Sequence, residues 1–67
     1  MSKKYNLVGI DGNAFAVMGY VKQSMKKEGK TQVEIDAYST DAKSGGYDHL
    51  LGVSQDMIDA LNEGRED

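Results

Sequence analysis

Few side chains in this 67-residue sequence could carry out chemistry. Cys is absent, which excludes thiol nucleophiles, disulfides and thiolate zinc sites together. His49 is the single histidine, so a histidine-rich metal site cannot form within one chain. It follows Asp48, and a neutral imidazole beside an acid could serve as a general base, with Ser44, Tyr47 and Ser54 nearby in sequence. Nothing around those hydroxyls marks a nucleophile. The expected role of His49 is therefore a half-exposed, hydrogen-bonded residue in the first turn of a helix. Asp56, Asp59 and Glu63 stand three and four apart on one helix face, and Asp36 and Asp41 add to the acidity. Such a face is ordinarily solvated; its functional counterpart would be an acidic docking patch. These sets predict no catalytic residue, no metal ligand and no cofactor.

The most distinctive segment is Leu7-Val8-Gly9-Ile10-Asp11-Gly12-Asn13-Ala14-Phe15, an apolar run ending in an acid, a Gly-Asn turn and a helix start. A carboxylate fixed beside free helix N–H groups is a setting in which several enzymes place their chemistry. The segment resembles the opening of the 5′-nuclease superfamily, where an apolar strand runs into Ile-Asp-Gly-Asn, and that resemblance implies Asp11 as a Mg²⁺ ligand. Two-metal chemistry needs further carboxylates from later strands, and the sequence offers no later strand. The Asp-x-Asp-Gly-Thr motif of haloacid-dehalogenase phosphatases fails at Gly9, which has no side chain to attack with. A Walker loop lacks its Gly-Lys-Ser/Thr, and a calcium loop lacks ligands, because Ala14, Phe15, Ala16 and Val17 follow the triplet. The expected structure is a tight turn with Gly12 at positive φ and Asn13 capping the first helix. Asp11, Gly12 and Asn13 are also the candidate site for a small anionic ligand such as a nucleotide, although the charge of Asp11 opposes it.

The elements that must position these residues follow from periodicity and caps. Tyr5–Ile10 is the only β-like run and stops at Asp11-Gly12-Asn13. Ala14 to Lys27 reads as a helix with Ala14, Val17, Val21 and Met25 on one stripe, which Phe15 and Met18 widen. Lys26 and Lys27 suit its last turn, and Gly29 suits the left-handed position beyond it. Thr31-Gln32-Val33-Glu34 is a capping box opening a second helix that buries Ile35, Tyr38 and Ala42 and ends at Ser44-Gly45-Gly46. A third helix begins near Tyr47 or Asp48 and runs to about Glu63, with Gly64 as its stop. Leu50, Met57 and Leu61 are its expected buried positions, against Val17, Val21 and Met25. The fold class predicted is α+β and mostly helical: one N-terminal β-strand followed by three α-helices. Residues 1–67 form a single small domain with frayed termini at 1–4 and 64–67.

A chain of this length buries only roughly 60% of the surface that its unfolded form exposes, so self-association is the compensation left open. Pairing the Tyr5–Ile10 strands of two copies would satisfy their backbone groups and give a homodimer, with Tyr5, Leu7, Val8 and Ile10 as its interface. In the other reading, the segment is an extended arm lying on its own helices. The formal charge of -3 and the placing of Lys22, Lys26, Lys27 and Lys30 near a helix end predict no nucleic-acid partner. No apolar run approaches membrane-spanning length and no signal peptide follows Lys3-Lys4, which predicts a cytoplasmic protein.

The phrases Asn6–Phe15, Glu34-Ile35-Asp36 and Tyr47-Asp48-His49-Leu50-Leu51 resemble a group of short open reading frames of bacteria, phages and mobile elements. The resemblance spans residues 5 to 62 and implies a bacterial or phage origin, with no activity attached. The expected function is a non-enzymatic protein-interaction module acting as a homo-oligomer.

Overall fold

Residues 5–63 are described by the structure, a computed structural model. Three helices form where the caps and periodicity place them. Helix α1 (Ala14–Lys27) opens at Asn13, whose Oδ1 accepts the Phe15 N–H at 2.8 Å. It closes on Gly29, at φ +82°. There the Lys30 N–H reaches the Met25 carbonyl and the Gly29 N–H reaches the Lys26 carbonyl, both at 3.0 Å, the two bonds of a Schellman motif. Helix α2 (Gln32–Lys43) opens with the complete capping box: Glu34 N–H donates to Thr31 Oγ1 at 3.2 Å, and Thr31 N–H donates to Glu34 Oε1 at 2.8 Å. The bond from the Thr31 backbone holds the Glu34 carboxyl below its ordinary value. Helix α3 spans Tyr47–Glu63. The expected stop at Gly64 and the frayed ends at 1–4 and 64–67 lie outside the described residues.

Each helix packs on the other two. Val17, Val21 and Met25 of α1 meet Ile35, Tyr38 and Ala42 of α2 and Leu50, Ile58 and Leu61 of α3 in one buried cluster. The stripe of α3 runs Leu50, Ser54, Ile58, Leu61, spaced four, four and three. Ile58 therefore takes the fully buried place expected of Met57, which is half-buried. Ser54 is 0% exposed, and its Oγ lies 2.6 Å from the Tyr38 hydroxyl. This buried pair ties α2 to α3 in one register, since a slip would leave two hydroxyls unpartnered. Burial pushes the Tyr38 phenol above its ordinary value, against the opposing effect of the Ser54 hydrogen bond.

The N-terminal strand does not form. Among the described residues there is no strand at all, so the fold is a three-helix bundle and not α+β. Tyr5–Asn13 is an arm folded by side chain to backbone bonds. Asn6 Oδ1 accepts the Val8 N–H at 2.9 Å, and Asp11 Oδ1 accepts the Asn13 N–H at 3.2 Å. Each is an Asx turn, the local alternative that Asn and Asp offer to a ladder. Between them the Ile10 N–H bonds the Leu7 carbonyl at 3.1 Å, with Gly9 at φ +89°. Positive φ at the third turn residue alone is the type II requirement, and Gly supplies it without steric cost. Gly12, expected there, is not at positive φ.

Three further backbone groups at the start of the arm find partners on the bundle. Tyr5 N–H donates to Asn62 Oδ1 and Asn62 Nδ2 donates to the Tyr5 carbonyl, both at 2.9 Å, while Asn6 N–H donates to the Tyr20 hydroxyl at 2.9 Å. Asn62 thus does for Tyr5 what a neighbouring strand would have done. The open edge that motivated pairing with a second copy is not present.

Candidate functional site

The Asp11-Gly12-Asn13 triplet is brought to the start of α3. Tyr47 donates its hydroxyl to the Gly12 carbonyl, fastening the turn before α1 to the first residue of α3. Two amides that could have met an anion are spent inside the segment, Asn13 N–H on Asp11 and Phe15 N–H on Asn13. The turn is therefore built as a helix start, and its exposed carboxylate further disfavours an anionic ligand.

The proposed interface set is split. Tyr5 is 4% exposed, with its hydroxyl donating to Glu28 Oε2 at 2.5 Å. Leu7 and Ile10 are half-buried against the core, while Val8, at the second position of the turn, is 84% exposed. A strand would have put Val8 and Ile10 on one face; the turn separates them.

His49 does come together with an acid and a hydroxyl, but not as catalysis would need. Its Nε2 lies 2.9 Å from the Asp41 carbonyl, 3.2 Å from Asp41 Oδ1 and 3.4 Å from Ser44 Oγ. A Ser-His-acid relay uses one ring nitrogen for the acid and the other for the nucleophile. Here every contact falls on one nitrogen, and Ser44 Oγ itself donates to the Asp41 carbonyl at 2.6 Å. Both side chains gather on the Asp41 carbonyl in the last turn of α2, which also accepts the Ser44 backbone N–H at 3.1 Å as that helix closes. Asp56 and Glu63 are exposed and Asp59 accepts from Gln55 at 3.0 Å, so the acidic face of α3 is solvated surface. Among the described residues no three of the metal-ligating types gather at one point. No helix of the described residues is long and apolar enough to cross a membrane.

A cleft of about 450 Å³ opens where the starts of α1 and α3 meet the end of α2. Ala14, Phe15 and Met18 form one wall, Ala42 and Lys43 another, and Tyr47 and Leu50 the third. Gly45 and Gly46 add no side chain where the α2–α3 connection lines the cleft. Gly45 has to be glycine, because a Cβ there would sit 2.7 Å from the Cβ of His49. Two aromatics stand at the mouth: Phe15 is 81% exposed and Tyr47 44%. Apart from Lys43, the lining side chains are apolar or aromatic.

Phe15 is the residue that sequence reasoning misplaced, as a widening of the buried stripe. At 100° per residue it lies roughly 105° from the centre of Val17, Met18, Val21 and Met25, beyond the apolar arc. That angle was the available signal. The depth of the cleft was not available, because it depends on three elements meeting. No family model, curated protein or solved structure matches this chain.

Proposed function

We propose that this protein is a non-enzymatic binding module of the cytoplasm that docks a protein chain on the apolar cleft between the starts of α1 and α3. The observation that carries the reading is Phe15, 81% exposed at the mouth of that cleft. Leaving a Phe side chain in water forfeits roughly 1.5–3 kcal/mol that its burial would contribute. Aromatic anchors beside a concave apolar surface are the features that dominate protein interfaces. Tyr47 adds a ring with a polar tip already fixed by the Gly12 carbonyl, so it meets a partner with little further loss of freedom. The cytoplasm suits a chain without Cys.

The test is photocrosslinking in cells that make the protein, with a photoreactive phenylalanine at position 15 and, as a control, at exposed Val33. The reading predicts one adduct of defined mass from position 15 and no such adduct from position 33. Equal, diffuse labelling from both positions would contradict it.

A further inference from the structure

We infer that the occupant of the cleft is a second copy of this chain, each copy placing its Phe15 into the cleft of the other across a two-fold axis. This rests on the reading of the cleft as a docking surface and names its partner. A two-fold interface uses the same patch on both subunits, so the patch must carry a projection and a recess together. Phe15 and the cleft that it borders meet that condition within one surface.

One charge on the cleft wall and one next in sequence to a lining residue meet the condition as well. Lys43 lies on the α2 wall and has no ion-pair partner among the described residues. Asp48 follows Tyr47 in the first turn of α3, is exposed, and likewise has none. The other acids at this end are already engaged: Asp11 accepts from the Asn13 N–H, and Asp41 Oδ1 lies 3.2 Å from His49 Nε2. A two-fold axis through the cleft sets Lys43 of one copy against Asp48 of the other, twice, which fixes the register of the two copies. A surface shaped for an unrelated partner has no need of both signs and both shapes in one patch. The association also covers apolar surface at the end of the bundle, which a small core leaves open.

Sedimentation equilibrium of the full chain, from micromolar to millimolar, tests this. The expected result is a reversible dimer whose affinity falls roughly ten- to a hundredfold in Phe15→Ser, with helicity retained. Lys43→Glu should also weaken it, and adding Asp48→Lys to that variant should restore it. A wild-type chain that stays monomeric throughout, or a dimer unmoved by Phe15→Ser, overturns the inference. The photocrosslink separates this failure from that of the docking reading. An adduct of twice the chain mass supports the second copy; a defined adduct to a different protein keeps the docking surface and overturns the second copy.

Discussion

The two ends of helix α1 treat aromatic residues in opposite ways. At its C-terminal end Tyr5 is buried, its hydroxyl is taken by Glu28, and its backbone is held at both donor and acceptor by Asn62. Gly29 and the Thr31–Glu34 capping box close the same end of the bundle. At the N-terminal end Phe15 stands in solvent over a cleft to which two glycines add no side chain. One end spends its aromatic on stability and the other leaves it available. An apolar residue that the fold does not use is where binding is to be sought.

Substitutions can break this contrast, and the largest effect belongs to the closed end. Leu61 is 3% exposed within the core cluster, and Leu61→Ala should cost about 2–5 kcal/mol by denaturant titration. A near-neutral result would mean that the closed end is not packed as described. Asn62→Ala comes next, at about 1–3 kcal/mol, because it strands the Tyr5 N–H and carbonyl. Hydrogen exchange at Tyr5 should speed up in that variant while exchange within α2 does not change.

Why the arm escaped the sequence follows from where its partners lie. Asn62 is 57 residues from Tyr5 and Tyr20 is 14 from Asn6, so no local pattern could announce them. The local signals pointed to turns all the same: Asn6 and Gly9 interrupt the run, and both act as turn residues. Val and Ile gave the run its strand-like composition, but composition cannot distinguish a strand from an arm held at several backbone groups by side chains. The helices were legible because their signals are local. Asn13, Thr31, Glu34 and Gly29 each act within four residues of themselves. Of the candidate site, the Asp11-Gly12-Asn13 turn was legible as a helix start. Its fastening to Tyr47 and the cleft beside it were not, since they join residues 35 apart.

A smaller effect tests the cap at the closed end. Thr31→Ala should cost about 1 kcal/mol through loss of the capping oxygen. The same pair predicts a pH dependence. The Glu34 carboxyl is held below its ordinary value by the Thr31 backbone, so its contribution is present above the ordinary carboxylate range and is lost as pH falls through the lowered value. Urea titrations across acidic pH should show that loss in the wild type and a shallower one in Glu34→Gln. Tyr38 works in the other direction. Burial raises its phenol above 10.0, so its contribution is complete below that pH and is lost as pH rises through the raised value.

The smallest effect on stability is expected at the open end. Phe15→Ser should change the stability of the monomer by no more than about 0.5 kcal/mol, because the ring is exposed. A loss comparable to that of Leu61→Ala would place Phe15 in the core and remove the contrast.

Hydroxyl-radical footprinting that compares Tyr5 with Phe15 tests the central claim most directly. Reaction rates would be read in dilute purified protein and again in concentrated extract of cells that make it. The account predicts slow reaction at Tyr5 in both samples, and at Phe15 fast reaction in the first and strong protection in the second. Phe15 reacting equally fast in both, or Tyr5 reacting as fast as Phe15 in the dilute protein, would contradict it.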